Sequence, residues 1–416
     1  MKRTVGRRAA AAALGLCLVA GCGADSSVGG STDDSGRTVL TWMMWSGGTA
    51  ERDSWQAAAD AVTKAHPDIR VKLETTSFDD YFTKIGTRMA AESSPCIVST
   101  QSLRVAALKD GMRPLDDLIA AQGADTGEFD TAALEGLQVD GAQYGLPYDS
   151  GPMVMLYNKE RFAEAGVAEP REGWTIADFE VAADRLSTDG VHGFSAFPGD
   201  LAMFSMIRTR AGAQPVRENG ELGLTAPAVE RGIDWYTGLV HEQRSAPPLA
   251  GNDSTFPVNQ FIAGNTAMVV DGPWDILHVS SESDFDLGMA PLPAGPDGTR
   301  TLSAGSGFGI AKSCPVPEKA FAAIKVLTGE KVLTTLAAEG RAYPARPATQ
   351  QAWLDNAPAG AAEALGTAAE TAESMRTTPE WPQISTDLVQ YGIPVFNGAT
   401  PAEAFLAQVQ SENSGG

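Results

Sequence analysis

Residues 39–44 (VLTWMM) are apolar without alternation, the pattern of a strand covered on both faces by helices. A helix is predicted from about Ala50 to Ala65, stopped by Pro67, and residues 69–73 (IRVKL) alternate as a second strand. Ser77 and Asp80 have the spacing of a capping box for a helix running to about Ala91, and residues 96–100 (CIVST) form a third short strand. The opening therefore predicts β-α-β-α-β, a parallel sheet covered by helices.

Further along, 140–147 (DGAQYGLP) reads as a hairpin-like turn, 153–158 (MVMLYN) as a buried strand, and 159–165 as a helix stopped by Gly166. Thr175 and Asp178 cap a helix to about Leu186, with Trp174 before it in a structural role. A short strand at 194–198, an apolar helix at 201–210 that would wall a cleft, and an amphipathic helix at 227–240 follow. The stretch 261–274 (FIAGNTAMVVDGPW) organises the rest. A helix ends at Gly264, where a left-handed cap needs no Cβ, residues 267–270 form a buried strand, and Asp271-Gly272-Pro273 break it just before Trp274. An indole at a strand end beside a Gly-Pro turn suits a ligand-facing position in an α/β protein, and it suits core packing equally well. Residues 285–289 read as a strand, 291–296 as a rigid connector, and 303–309 (SAGSGFG) as a glycine-rich return; helices are predicted at 318–327 and 331–338.

At 416 residues the chain exceeds one ordinary core, and 43% hydrophobic content with 44 Gly describes a globular, turn-rich protein. The net charge is −21, and without Lys2, Arg3, Arg7 and Arg8 of the leader 27 basic face 52 acidic residues, or −25. Such a surface repels nucleic acid and favours a neutral or cationic small ligand. No Lys follows the 303–309 glycines in the place a phosphate loop requires.

Basic residues within 1–8 precede an apolar run at 9–20, shorter than the ~20 residues that span a bilayer, so this is a secretion signal. It ends Val19-Ala20-Gly21-Cys22, similar to a bacterial lipobox, which implies a lipidated Cys22 at the mature N-terminus and a polar tether to residue 36. The alternative is a plain cleaved signal, and Arg7-Arg8 leave the export route open between the general and twin-arginine pathways. The folded part retains Cys96 and Cys314, as free thiols or, in an exported chain, oxidised.

His66, His192, His241 and His278 lack metal-ligand spacing, and neither HExxH nor Gly-x-Ser-x-Gly occurs, so no metal or cofactor is expected. Asp149 or Asp271 could serve a glycosidase pair, a signal of little specificity among so many acids. Eight Trp favour a sugar binder, since C–H faces of sugars pack on flat rings.

The 261–274 stretch resembles the F-x-x-G-x-x-A-M-x-x-x-G-P-W motif of the family 1 extracellular solute-binding proteins of ABC importers, the sugar-binding group that includes maltose-binding proteins. The resemblance extends through TLTWMMWSGG, HPDIRVKLE, SPCIVSTQ, DGAQYGLP and MLYNK to Pro379–Ile384 and Thr400–Phe405, covering nearly the whole mature chain. It departs at Cys96, where the family usually has Asp. It implies an α/β, two-lobe periplasmic-binding-protein fold of type II, each lobe a mixed sheet flanked by helices, joined by hinge strands. The implied division is a signal peptide at 1–21, a tether at 22–36, lobe 1 at 37–146 and 303–345, and lobe 2 at 147–302 and 346–411. In the family the 96–100 strand runs antiparallel to the counterpart of 307–311, which implies a Cys96–Cys314 disulfide. Carried over by position, the resemblance implies ligand contacts from Trp45, Ser46, Gln101, Tyr148, Asp149, Trp274, Gly305, Ser306, Tyr343, Arg346 and Trp381. Glu51 is open between a hydroxyl contact and stabilisation of its helix dipole.

The function implied is not enzymatic: an extracytoplasmic, monomeric lipoprotein on the outer face of the cytoplasmic membrane captures a mono- or oligosaccharide between its lobes and delivers it to an ABC-transporter permease. The alternatives are a lipid-anchored secreted glycoside hydrolase and a non-sugar solute, such as a peptide or polyamine, on the same scaffold.

Overall fold

The computed structural model describes residues 30–188 and 190–414; the leader, Cys22 and most of the tether lie outside them. The opening pattern folds as its periodicity dictates. Strand Thr38–Trp45 pairs parallel with Ile69–Thr76 along its length and with Ile97–Gln101 at Trp42 and Met43, and helices Thr49–Ala65 and Phe78–Ala90 connect them. Strand Ser306–Ala311 returns from far along the chain and pairs antiparallel with Ile97–Gln101, Ser306 opposite Gln101. Short strands Ser31–Thr32, Met112–Arg113 and Leu146–Pro147 complete a seven-stranded mixed sheet. One face of it packs Leu40, Trp42 and Phe308 against Trp55, Phe321 and Leu333; the other packs Met43 and Val98 against Tyr81 and Ile85.

A second body surrounds an antiparallel sheet in the order Met268–Asp271, Val154–Asn158, Leu287–Ala290. Its two faces carry separate cores, one around Phe179, Phe204, Tyr236 and Trp381, the other around Phe261, Ile276, Trp353 and Leu365. Between the bodies, Thr301–Ala304 pairs with Gly151–Pro152 and Ala372–Ser374. The chain thus passes from one body to the other at Tyr148–Ser150, at Gly305 and again near Pro344–Ala345, and the passages are bonded: Tyr148 N–H donates to Ser306 O (2.9 Å), Ala345 N–H to Tyr148 O (3.1 Å) and Ser150 N–H to Tyr343 O (2.9 Å).

Two local expectations change. Residues 194–198 join no ladder; Ser195 makes one bridge to Val269, so the segment is an extended loop beside the sheet. The Gly-Pro step at 272–273 ends a strand and also starts a helix, Pro273–Glu282, because proline at the first helical position loses no needed donor. The Thr175–Asp178 capping box is present, Gly264 takes φ 70° after helix Phe256–Ile262, and the Trp174 indole N–H donates to Pro291 O (2.9 Å) in its structural place.

Candidate functional site

Trp274 sits in the first turn of its helix with its indole 47% exposed, which excludes core packing. Two glycines create the seat for the ring: a Cβ on Gly272 would lie 2.2 Å from it and one on Gly151 2.7 Å. The ring therefore lies on bare backbone at the strand that crosses between the bodies. Under it opens a cavity of about 200 Å³, walled by Phe197 and Tyr236 and carrying Ser195, Asp200, Asp271 and Asp275. Ser195 Oγ and Asp271 Oδ2 are buried there without hydrogen-bond partners. Asp271 Oδ1 accepts from Gly272 N–H (2.7 Å). Burial, then the charge of Asp275, push the Asp271 carboxyl well above the usual carboxylate range.

Gln101, Gly305, Ser306, Tyr148 and Asp149 meet at the crossing strands. Gln101 faces Ser306 in register, and Ser306 N–H donates to Asp149 Oδ1. A Cβ on Gly305 would lie 2.8 Å from Asp149 O, so glycine is required for the backbones to pass. Tyr148 is buried, its ring stacked on Phe308 at 4.9 Å and edge-on to Trp55 at 5.3 Å; its side chain belongs to the core of the first body, a correction to its expected ligand role.

Burial pushes the Asp149 carboxyl up to about 7, against the Ser306 backbone N–H and hydroxyl that favour its charged form. Between the ordinary carboxylate range and that value the folded chain holds more protons than the unfolded one, so stability falls as pH rises through the window. Asp149→Asn should then melt above the wild type at about pH 8, with the gap narrowing toward about pH 5. Thermal melts at both pH values check this, and a pH-independent gap would mean that Asp149 titrates normally.

Trp45 ends its strand half-buried in an aromatic cluster, edge-on to Tyr81 (5.1 Å) and Phe78 (5.6 Å) and tilted on Phe82 (5.8 Å), rather than lining the cavity under Trp274. Arg104 borders the Trp45 cluster and feels the charge of one cavity carboxylate. Its guanidinium lies over Phe82 (5.4 Å), burial lowers its pKa, and the charge of Asp200, on the cavity wall, acts against that shift. Ser46 Oγ donates to Gly48 O (2.8 Å) in a groove with Thr76 and Ser77, while Glu51 accepts from Gly47 N–H (2.6 Å), binding its own loop.

The three remaining expected contacts are corrected. Tyr343 is buried edge-on against Trp353 (5.3 Å). Arg346 is held by Glu128, donates from Nε to Thr328 O (2.6 Å), and stacks on Phe129 (4.2 Å), leaving its charge and plane committed internally. Trp381 is fully buried, and its indole N–H donates to Asp200 Oδ2 (3.0 Å), so it positions a cavity carboxylate instead of touching the cavity. Cys96 and Cys314 are joined, with Cα atoms 4.7 Å apart.

Ser195, Asp200, Asp275 and Arg104 were not anticipated. Asp200 and Asp275 each sit in a helix first turn, where an acid is explained by the dipole alone, so nothing marked them out among 52 acidic residues.

Comparison with known proteins agrees with this architecture. Residues 46–333 match the family of bacterial extracellular solute-binding proteins. The diacetylchitobiose-binding protein DasA of Streptomyces coelicolor is 24% identical over 433 residues, covering 98% of each chain. Among solved structures, the ABC substrate-binding protein Lmo0181 from Listeria monocytogenes, in complex with cycloalternan, superposes with a TM-score of 0.80 at 23% identity, covering 90% of this chain and 98% of the other. The GacH receptor of Streptomyces glaucescens does so with a TM-score of 0.75 at 23% identity, covering 89% and 97%. These structures share the two-lobe α/β fold of periplasmic binding proteins, and the chain belongs to the family of bacterial extracellular solute-binding proteins.

Proposed function

We propose that this chain captures a mono- or oligosaccharide beside Trp274 and delivers it to the permease of an ABC importer, held at the outer face of the cytoplasmic membrane by a lipidated Cys22. The observation that carries the reading is the Trp274 indole: half exposed on bare backbone, above a cavity with a buried hydroxyl and a buried carboxylate oxygen awaiting partners. Apolar C–H faces of a sugar would stack on the ring, and its hydroxyls would satisfy those polar atoms. The carbohydrate ligands in the names of DasA and the Lmo0181 complex support the same class.

The lobes are taken as 37–146 with 303–345, and 147–302 with 346–411. Trp274, with Asp200, Ser195 and Asp271, supplies the contacts of the second lobe; Trp45, Ser46, Gln101 and the Gly305–Ser306 backbone are proposed for the first, with Asp149 at the hinge. Ligand bound across both lobes stabilises the closed form by its differential affinity, and hinge rotation at the crossing strands is the motion. The closed form is what the permease receives.

Tryptophan fluorescence of the mature protein, titrated with mono- and oligosaccharides and with peptide and polyamine controls, tests the reading. Saturable quenching or enhancement by a sugar that is recovered unaltered is expected. Saturation by a control alone would replace the ligand class, and release of cleaved product would overturn the assignment as a binder.

A further inference from the structure

Three carboxylates converge on the Trp274 cavity, Asp200, Asp271 and Asp275, and among the described residues its lining includes no Lys, Arg or His. Asp200 is bonded, but only by neutral donors, the Trp381 indole and Leu201 N–H, which leave its charge in place. Asp271 is 5% exposed with one oxygen unpartnered, and Ser195 is 3% exposed with its hydroxyl unpartnered. Among the described residues the basic side chains nearby lie at the margins, Arg104 beside Asp200 and His278 beside Asp275. Among the described residues, the groups that act on Asp271 are Asp275, Gly272 N–H and the indole of Trp274, none of them a cation.

We infer that the ligand of this cavity carries a positive charge, an amino sugar whose ammonium group sits against Asp271 and Asp275 while a sugar face stacks on Trp274. This rests on the sugar-binding reading above. The chemistry favours a cation over a neutral polyol. Hydroxyls satisfy lone pairs but leave like charges facing each other in a half-enclosed space, whereas an ammonium group donates three hydrogen bonds and cancels charge at once. The indole face adds attraction for the same cation. Burial and the charge of Asp275 push the Asp271 carboxyl upward, and an ammonium group set against both carboxyls would favour their charged forms.

The test is titration calorimetry on the mature protein at about pH 6, where a sugar amine is protonated. The probes are matched pairs on one skeleton: glucosamine and glucose, galactosamine and galactose, mannosamine and mannose, and the chitosan disaccharide and cellobiose. The amine of at least one pair should bind roughly tenfold or more tightly than its hydroxyl partner, the range of a charge-assisted hydrogen bond. Asp271→Asn, which keeps the acceptor for Gly272 N–H, should bring the ratio toward one without lowering the melting temperature, since Asn carries no buried titratable group. If the hydroxyl partners bind as well or better, the charge assignment falls and sugar binding stands. If no member of any pair binds, both fall.

Discussion

Trp274→Ala should weaken binding of the ligand by about 2–4 kcal/mol, some 30- to 1,000-fold, while the protein melts at nearly its original temperature. The two halves of this expectation have separate causes. Affinity depends on the ring because a stacked indole buries a large flat area at the cost of ordering few torsions, and this indole is held in place before any ligand arrives. Its seat is bare backbone at Gly151 and Gly272, so it has nowhere to collapse. Stability does not depend on the ring because it is 47% exposed and fills no core; its removal leaves a shallow notch open to water rather than a cavity. Trp274→Phe should fall between. Calorimetric titration paired with a thermal melt reads both quantities, and an alanine variant with unchanged affinity would remove Trp274 from the site.

This separation explains which parts of the molecule were readable in the sequence. Strand Thr38–Trp45 and its partner Ile69–Thr76 follow from apolar runs and alternation, because burial on two faces or one is written directly into residue type. The antiparallel return of Ser306–Ala311 to Ile97–Gln101 joins residues some 200 positions apart; nothing local encodes it, and only family resemblance pointed there. At the site, Trp274 was legible because a strand, a Gly-Pro step and an indole occur consecutively. Trp381 and Tyr343 were misplaced because an aromatic residue gives the same sequence signal whether it faces a ligand or a core, and here the first is fully buried and the second packs on Trp353. Asp200 was missed for the opposite reason. Its importance comes from what surrounds it, the Trp381 indole behind and Arg104 across the crossing strands, and both are remote in sequence.

Replacing Cys96 and Cys314 with alanine should lower stability by about 5 kcal/mol and leave ligand affinity unchanged. The covalent link joins residues 218 apart, and the intervening chain includes the entire antiparallel sheet of the second body. Closing so long a loop removes much of the freedom of the unfolded chain, which is where the stabilisation arises. In a protein of this size the loss corresponds to a melting temperature lower by roughly 6 °C. Affinity should be indifferent because of where the link sits. It lies at the Cys96 end of strand Ile97–Gln101 and just beyond Ala311, whereas the ligand-side contacts begin at the opposite ends, Gln101 and Ser306. Both cysteines are also buried, at 0% and 3% exposure, so the link should resist mild reductant in the folded state and open only with denaturant present. Mass spectrometry after alkylation with and without denaturant and reductant checks the bond, and melts of wild type and double variant check its worth. Two thiols that alkylate without reductant would end the argument, and a variant that loses binding at 25 °C would show that the bond holds the crossing strands as well as the lobe.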